Sequence, residues 1–264
     1  MTRILAISGS HFRHYHVFSE IHKVYPLCGQ IIVKRENIIP TPPEGIQERD
    51  LKNFILHFQR RDAAGKKYFG TPIVPDCPSV LVTPDELNSQ RSVAFVDQVR
   101  PDIVLIFGSG LVKDPLYSVL PKHTINMHLG LSPQYRGAAT LFWPFYYMDP
   151  FSAGTTFHYI VAEPDAGDVI HQTVPQLNMD DGIHDVGCKT VLQSAQDLVQ
   201  LLRIFEKEGK WKVFPQNATG KIFLIKDFKP HHLRVNYELF NDDVVRHALS
   251  GQLQCHVPKL IKQF

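Results

Sequence analysis

Residues 103–110 read Ile103-Val104-Leu105-Ile106-Phe107-Gly108-Ser109-Gly110, and this stretch decides the fold class of the chain. Five consecutive apolar residues that end in a glycine-rich turn are typical of a strand buried on both faces. Strands of this kind belong to parallel sheets that helices cover. A similar run at residues 4–7 stops at Ser8-Gly9-Ser10, and a helical pattern follows it. The chain therefore opens as an α/β fold.

The same two patterns recur along the rest of the chain. Apolar runs between turn residues predict strands, and apolar residues spaced by three and four predict helices. The predicted strands cover residues 4–7, 30–33, 80–82, 103–107, 124–127, 155–161, 168–174 and 222–225. The predicted helices cover residues 17–24, 49–69, 85–99, 138–147 and 182–208, with a short helical tail from residue 231. This alternation favours a doubly wound, mostly parallel α/β sheet.

The length of 264 residues allows one main domain with a small appendage. We expect the main domain to cover residues 1–209 and a C-terminal extension to cover residues 210–264. Apolar residues make up 44% of the chain and charged residues 20%, which is typical of an ordinary globular protein.

The formal net charge of +2 is too small to gather nucleic acid. No stretch approaches the roughly 18 consecutive apolar residues that a membrane-spanning helix needs. We therefore expect a cytoplasmic protein that binds neither nucleic acid nor a membrane. The cysteines lie far apart, so their spacing predicts neither a disulfide framework nor a metal site. They are Cys28, Cys77, Cys188 and Cys255.

Polar side chains stand at the end of the predicted strand 124–127. Asn126 and His128 lie two positions apart, so on a strand their side chains point to the same face. Loops beyond the carboxyl ends of parallel strands form the ligand crevice of such sheets. The turn at residues 162–168 supplies carboxylates, and Asp165 placed against His128 is expected to hold the ring and to raise its pKa.

Three motifs in this region follow a recognisable order. They are Asn126-x-His128, then Ser132-Pro133-x-Tyr135-Arg136-Gly137-Ala138, then Pro164-Asp165-Ala166-Gly167-Asp168. Over residues 101–172 they resemble the folate-dependent formyltransferases, whose pattern is Asn-x-His, Ser-Leu-Leu-Pro-x-x-Arg-Gly and Leu-Asp-x-Gly-Asp. The chain departs from that pattern twice, because Gly130-Leu131-Ser132-Pro133 replaces Ser-Leu-Leu-Pro and Pro164 replaces a leucine. Neither departure touches the Asn, the His or the first Asp.

The resemblance implies a Rossmann-like formyltransferase core, N10-formyltetrahydrofolate as the co-substrate and no metal. An amine would attack the formyl carbon. His128 would stabilise the developing oxyanion and shuttle the proton, Asn126 would donate a hydrogen bond to the oxyanion, and Asp165 would orient His128. Asp168 competes with Asp165 for that role, and Asp165 is preferred because it precedes the glycine turn. A lone Asn-x-His is more often a structural pair, so the assignment depends on all three motifs.

The resemblance also implies which residues hold the folate. The loop after the buried strand would offer backbone groups to the pterin ring, and its plainer interpretation is a turn that ends a strand. The expected folate-binding residues are Phe107, Gly108, Ser109, Gly110, Leu111, Val112, Ala162, Glu163 and Asp168.

The first loop joins a strand to the start of a helix, where backbone N–H groups collect anions. We expect side chains in this loop and in the Arg-Gly motif to bind the acceptor substrate, including any phosphate on it. These residues are Ser10, His11, Arg13, His14 and Arg136. The alternatives are a plain Gly-Ser turn for the loop and a bracing ion pair for the arginine.

The resemblance leaves several acceptors open. The tRNA-acting relatives carry a substantial C-terminal domain, for which this chain has little room, and the purine-pathway relatives are shorter. The sequence therefore favours a small-molecule amine, the amino group of a nucleotide-linked deoxysugar. Glycinamide ribonucleotide as the acceptor, hydrolysis of formyltetrahydrofolate and a non-catalytic binding domain stay open. The aromatic-rich segments and the C-terminal tail leave room for a homodimer.

Overall fold

The run at residues 103–107 forms the middle strand of a seven-stranded sheet. The computed structural model describes residues 2–34, 40–71, 73–216 and 220–264. The strands are β1 (Ile4–Gly9), β2 (Leu27–Val33), β3 (Ser79–Val82), β4 (Ile103–Phe107), β5 (His123–His128), β6 (Arg136–Gly137), β7 (Thr155–Tyr159), β8 (Val169–Thr173) and β9 (Ile222–Phe223). The helices are α1 (Phe12–Val24), α2 (Glu48–Phe69), α3 (Gln90–Val99), α4 (Leu116–Val119), α5 (Trp143–Tyr146), α6 (Ile183–Glu208) and α7 (Val244–Leu249).

The sheet has the strand order β3-β2-β1-β4-β5-β7-β8. The first five strands along the chain pair in parallel, whereas β7 runs antiparallel to β5 and β8 runs antiparallel to β7. The prediction of a doubly wound, mostly parallel α/β sheet is therefore confirmed. The two antiparallel strands matter for the site, because they bring β7 and its following turn against β5.

Helices cover both faces of the sheet. On β1, Ile4 and Ala6 face one apolar core that contains α1 and α6, whereas Leu5 and Ile7 face a second core that contains α3. Every residue of β4 is buried. This burial on both faces explains why the β4 sequence is apolar without interruption.

The helix predicted over residues 138–147 is wrong in its first half. Only Trp143–Tyr146 is helical, because Gly137 and Ala139 have φ values of +94° and +54°, which a helix does not allow. A Cβ atom on Gly137 would lie 2.2 Å from the carbonyl oxygen of Phe223, so the close approach of β9 also requires a glycine there. The aromatic residues after the turn instead build a third core with α2 and residues 223–245.

The segment after α6 returns to the sheet. Strand β9 pairs in parallel with β6, and the N–H of Gln172 in β8 donates to the carbonyl of Ile261 at 2.7 Å. The predicted helical tail is found between residues 230 and 249, as short helical turns and α7. Residues 252–264 form no helix. The boundary at residue 209 stays a prediction, although these contacts cross it. Among the described helices, none is both long enough and apolar enough to cross a bilayer.

Candidate active site

The carboxyl end of β5 places Asn126 and His128 on one face, as the two-residue spacing predicts. The Nδ2 atom of Asn126 donates a hydrogen bond to Oδ1 of Asp165 at 3.2 Å. The Nδ1 atom of His128 lies 3.4 Å from Oδ2 of the same carboxylate. The structure therefore brings together the three side chains that the motifs singled out, and their catalytic roles stay a prediction.

Backbone groups fix the Asp165 carboxylate from the side of β6. The residue sits in the turn between β7 and β8 with φ at +50°, and its Oδ2 accepts a hydrogen bond from the N–H of Gly137 at 2.9 Å. Burial alone would raise its pKa, but hydrogen bonding from His158 and the positive character of both neighbouring histidines lower it to about 2. Asp165 is therefore an ionised acceptor throughout the neutral pH range.

The Arg-Gly motif braces this turn. The guanidinium of Arg136 donates two hydrogen bonds to the carbonyl of Pro164, at 2.7 and 3.2 Å, and one to the Glu163 carboxylate at 2.7 Å. Arg136 is only 5% exposed. The contacts correspond to the bracing interpretation of Arg136, and they place its side chain against the turn that carries Asp165.

The ring of His128 is anchored by its other nitrogen. Its Nε2 lies 2.7 Å from the carbonyl oxygen of Tyr135, and a carbonyl only accepts, so Nε2 carries the hydrogen. The neutral ring then has its lone pair on Nδ1, beside Asp165. A proton gained at Nδ1 would be held by that carboxylate, so the ring can take up and release a proton without losing its anchor.

The pKa of His128 differs from the sequence prediction. Burial lowers it below the ordinary value of 6.5, and this outweighs the raising effect of Asp165. The expected raising effect of Asp165 is present, but the prediction did not include burial, which makes the net shift of the pKa a lowering. A ring that is neutral at pH 7 is ready to accept a proton.

A second histidine belongs to this cluster, and the motifs did not point to it. His158 pairs with Asn126 across β5 and β7, and its Nε2 lies 3.4 Å from Oδ1 of Asp165 and 3.2 Å from Nδ2 of Asn126. Its Nδ1 lies 2.8 Å from the carbonyl of Tyr159. In the sequence, His158 appears only as a polar residue within a predicted strand. Its place in the cluster depends on the antiparallel pairing of β7 with β5, which the sequence does not predict.

The two loops expected to hold the folate flank β5, since residues 107–112 follow its neighbour β4, and residues 162–164 lead from its other neighbour, β7, into Asp165. Gly108 and Gly110 have φ values of +69° and +102°, so the chain turns sharply after β4. Leu111 is 43% exposed, and Ala162 and Glu163 are also exposed. Asp168 is exposed too, and its carbonyl accepts from the N–H of Tyr159 at 3.0 Å, so its backbone belongs to the strand pairing.

The remaining expected folate residues are more enclosed. Phe107 and Ser109 are buried, and Val112 packs against the core on the α3 face. The folate-binding roles of both loops stay predictions.

Asn126, His128, His158 and Asp165 form what is called here the catalytic cluster, after its predicted role. A cavity of about 360 Å³ opens beside it. Two of its walls come from the segments that carry the cluster, since Leu129 follows His128 and Ala138 follows Gly137. His11 at the end of the first loop and Arg13 in the first turn of α1 also line the cavity, and α2 and α6 complete the enclosure. The cavity is therefore enclosed by the first loop, α1, α2, α6 and the segments that follow β5 and β6.

Not every residue expected at the substrate reaches this cavity. Within the described ranges, Ser10, His14 and Arg136 are not among its lining residues. His14 is 1% exposed and packs edge-on against Phe107 at 4.6 Å between ring centroids. Also within these ranges, no group of three or more His, Cys, Asp or Glu side chains is arranged to hold a metal ion.

Comparison with known families gives a match over the middle of the chain. The model of the family described as formyl transferase matches residues 52–202. This range contains β3 to β8, most of α6 and every residue of the catalytic cluster.

Solved structures with similar folds include enzymes with different acceptors. A phosphoribosylglycinamide formyltransferase from Streptococcus pneumoniae has 19% identity and a TM-score of 0.55, with 78% of this chain and 99% of that chain covered. A formyltransferase from Anoxybacillus kamchatkensis, in complex with UDP-4,6-dideoxy-4-formamido-L-AltNAc and tetrahydrofolate, has 15% identity and a TM-score of 0.51, with 92% and 96% covered. An N-formyltransferase from Helicobacter canadensis, with folinic acid and dTDP-3-aminofucose, has 16% identity and a TM-score of 0.51, with 87% and 73% covered.

Proposed function

Because this chain belongs to the formyl transferase family, we propose that it transfers the formyl group of N10-formyltetrahydrofolate to a primary amine. The observation that carries the proposal is the contact of Asn126, His128 and Asp165 beside a cavity large enough for a small molecule. An amide, an imidazole and a carboxylate are the groups that acyl transfer to an amine requires, because charge develops on an oxygen and a proton must leave the amine.

The three side chains divide the work according to their contacts. The amide of Asn126 is a hydrogen-bond donor for the formyl oxygen as it becomes negatively charged. Nδ1 of His128 accepts the proton of the attacking amine, and Asp165 stabilises the ring that results. The same proton can then pass to N10 of the folate as its bond to the formyl carbon breaks. The amine therefore gains the formyl group and N10 gains the proton.

Two loops near these three side chains suit the folate. Residues 107–112 follow β4, which is next to the strand that carries Asn126 and His128, and residues 162–164 precede Asp165. Both loops expose side chains, including the apolar Leu111. An apolar surface beside turning backbone is able to hold a flat pterin ring and hydrogen-bond its edge.

For the acceptor, we propose the amino group of a nucleotide-linked amino deoxysugar. The cavity is lined by two guanidinium groups, Arg13 and Arg61, and by aromatic rings that include Phe58 and Phe142. Arginine binds phosphate oxygens, and aromatic rings pack against bases and deoxysugars. Two of the similar solved structures hold nucleotide sugars.

A second candidate acceptor is glycinamide ribonucleotide. It also joins a phosphate to a primary amine, and the similar structure from Streptococcus pneumoniae is a phosphoribosylglycinamide formyltransferase. The two candidates differ in the bulk that the cavity must enclose, so a direct comparison of turnover will separate them.

The decisive experiment supplies N10-formyltetrahydrofolate with a panel of acceptors and detects a gain of one formyl unit by mass spectrometry. The panel contains UDP- and dTDP-linked amino deoxysugars and glycinamide ribonucleotide, with the corresponding hydroxyl sugars as controls. Product that requires an amine supports transfer. Formate released without any amine indicates a hydrolase, and the absence of both products indicates a binding domain.

We extend the proposal to location and assembly. An enzyme that uses a folate and a nucleotide-linked sugar is expected in the cytoplasm. Leu224, Ile225 and Leu239 are 47%, 84% and 68% exposed and give the C-terminal segment an apolar surface that suits a homodimer. Sedimentation of the purified protein will show whether two copies associate.

A further inference from the structure

A buried hydrogen-bond network joins the loop after β5 to strands β7 and β8. Its members are Gly130 and Ser132 of the loop, Thr156 of β7 and Gln172 of β8. Thr156 pairs with His128 across β5 and β7. Ser132, Thr156 and Gln172 are at most 4% exposed. The proposed reaction uses none of the four residues, and polar groups buried this deeply keep one arrangement because each needs its partners.

Backbone partners fix the direction of the hydrogen bonds that hold the loop to Thr156. The N–H of Ser132 donates to Oγ1 of Thr156 at 2.9 Å, so this oxygen accepts there. The hydroxyl hydrogen is then left for the carbonyl of Gly130, which lies 2.8 Å away and can only accept. Thr156 therefore holds the loop after β5 at two points, once as an acceptor and once as a donor.

Gln172 is fixed in the same way at both ends of its amide. Its Nε2 donates to the carbonyl of Ser132 at 2.7 Å and to Oγ1 of Thr156 at 3.2 Å. Its Oε1 accepts from the N–H of Ile261 at 3.2 Å. The backbone N–H of Gln172 also donates to the carbonyl of Ile261 at 2.7 Å. The amide therefore connects the loop after β5 to a segment 89 positions further along the chain.

The loop that the network holds lies against the anchor of the His128 ring. This anchor is the contact of Nε2 of His128 with the carbonyl oxygen of Tyr135, at 2.7 Å. A Cβ atom on Gly130 would lie 2.4 Å from that oxygen and 2.7 Å from Nε2, so the backbone of Gly130 lies directly against the contact. A displacement of Gly130 would therefore move the ring or lengthen its hydrogen bond.

Residues 261–264, called here the edge segment, are held on β8, the last strand of the sheet. The N–H of Gln263 donates to Nδ1 of His171 at 3.1 Å. The side chain of Gln263 donates to the carbonyls of Ile170 and Lys212, both at 2.7 Å, and accepts from the N–H of Lys212 at 3.2 Å. Gln263 therefore fixes the edge segment to β8 through contacts that do not involve Gln172.

We infer that Gln172 is a positioning residue, which couples the edge segment to the loop that anchors His128. The network keeps the ring in the orientation that presents Nδ1 to the proton of the attacking amine. The inference rests on the proposed function, because that function makes His128 the proton acceptor. Among the described residues that line the acceptor cavity, neither Gln172 nor a member of the edge segment occurs. The effect of the network therefore falls on proton transfer and not on acceptor binding.

Thr156→Val and Thr156→Ser form a matched pair for the first test. Valine keeps the shape of the side chain and removes the hydroxyl, so the N–H of Ser132 and the carbonyl of Gly130 lose a buried partner. Serine keeps the hydroxyl. With UDP- and dTDP-linked amino deoxysugars as acceptors, we expect Thr156→Val to lower kcat about tenfold and to leave the acceptor KM within about twofold. Thr156→Ser should keep kcat within about threefold of the unmodified enzyme.

A second set of variants tests the edge segment without touching the buried network. Gln263→Ala removes the side chain that fixes the segment, and we expect kcat to fall about threefold or more. Lys262→Ala, at the exposed neighbouring position, is the matched control and should retain full activity. Gln30→Leu removes a buried glutamine side chain from β2 and controls for lost stability. It should also retain full activity.

The third test measures the anchor of His128 in the resting protein and needs no turnover. In ¹⁵N-histidine-labelled protein, the Nε2–H signal of His128 is assigned by its absence in His128→Asn. This hydrogen should exchange slowly with water, because the carbonyl of Tyr135 holds it. We expect exchange about tenfold faster in Thr156→Val and measurably faster in Gln263→Ala, with no change in Thr156→Ser or Lys262→Ala.

The outcomes separate the two proposals. Equal kcat values for Thr156→Val and Thr156→Ser, a change confined to the acceptor KM, or a normal kcat in Gln263→Ala would overturn the coupling and leave the proposed function intact. So would a loss of kcat in Gln30→Leu as large as that in Thr156→Val. If Thr156→Val does not fold, Gln263→Ala and Lys262→Ala decide with the same two measurements.

If the unmodified protein formylates no member of the acceptor panel, the proposed function fails. The exchange rates then decide the coupling by themselves, because they depend only on the resting structure. Faster exchange in both Thr156→Val and Gln263→Ala supports it, and unchanged exchange in either variant overturns it.

Discussion

The side-chain amide of Gln216 donates a hydrogen bond to the backbone carbonyl of Asp165 at 3.0 Å, although the two residues are 51 positions apart. It donates a second hydrogen bond to the carbonyl of Gly167 at 2.6 Å. Gln216 therefore spans the turn that holds Asp165, the carboxylate of the proposed mechanism. Because Asp165 has a positive φ, the turn needs such external support to keep its shape.

Replacing Gln216 with leucine should loosen this turn and misplace the carboxylate. We expect kcat to fall about threefold to tenfold, the equivalent of one or two neutral hydrogen bonds, with little change in the KM for the acceptor. Gln254→Leu, at an exposed position, is the matched control and should retain full activity. A Gln216→Leu enzyme with normal kcat would show that Arg136 and Gly137 hold the turn alone.

His128→Asn should bind folate normally and lose nearly all turnover. Asparagine keeps a polar side chain but cannot accept a proton at neutral pH, so we expect kcat to fall about 100-fold or more. Fluorescence measures whether the variant still binds folate, and mass spectrometry measures how much turnover remains. Substantial residual turnover would remove His128 from the mechanism, and His256→Asn, on the surface, serves as the control.

Arg13→Ala should act on binding rather than on chemistry. The side chain lines the proposed acceptor cavity, where a guanidinium can bind a phosphate group of the acceptor. For a phosphorylated acceptor, we expect the KM to rise more than kcat falls. Arg203→Ala, on the outer face of α6, should change neither constant. A change confined to kcat would point away from phosphate binding.

The pKa of His128 can be measured directly by an NMR titration. Burial should place it below 6.5, so less than half of the rings should be protonated at pH 6.5, and the midpoint of the titration should lie in more acidic solution. Asp165 raises this pKa, so Asp165→Asn should lower it further. A value at or above 6.5 in the unmodified enzyme would contradict the dominant effect of burial.

His57 and His184 line the cavity with their ring centroids 4.5 Å apart, and they should make the stability of the protein sensitive to acid. Both have depressed pKa values in the folded state, so below pH 6.5 the unfolded chain binds more protons than the folded one. The contribution of these two rings to the free energy of unfolding should therefore be complete above pH 6.5 and be lost as the pH drops towards about 3. Each ring contributes at most about 1.4 kcal/mol per pH unit to this slope.

Denaturation with urea at a series of pH values checks this prediction. His184→Gln should reduce the slope of the free energy of unfolding against pH below 6.5, because glutamine does not titrate. The exposed variant His256→Gln is the control for general effects of substitution. An unchanged slope in His184→Gln would show that this ring is not forced to remain neutral.

The sequence predicts the structure correctly wherever a local pattern is compatible with only one arrangement of the chain. The apolar run of β4 can satisfy its burial only inside a covered sheet, and the two-residue spacing of Asn126 and His128 sets a common face on any strand. The turn that carries Asp165 was visible because glycine and proline mark it. These features concern residues that are close in the chain, where spacing alone fixes geometry.

The parts that could not be predicted depend on distant pairing. His158 reaches the cluster because β7 runs antiparallel to β5, and neither strand alone encodes that direction. Tyr237 meets His57 across 180 positions of sequence. The helix predicted from residue 138 begins only at Trp143, because Gly137 and Ala139 have positive φ values next to the pairing of β6 with the distant β9.

The pairing of β6 with β9 has a consequence for the order in which the protein matures on the ribosome. Synthesis proceeds from the N-terminus, and early segments begin to fold while later ones are still being made. The motif at residues 136–137 is translated well before its partner at residues 222–223. A nascent chain that has already formed its large sheet is therefore expected to lack the β6–β9 pairing beside Gly137 until residues 222–223 have left the ribosome.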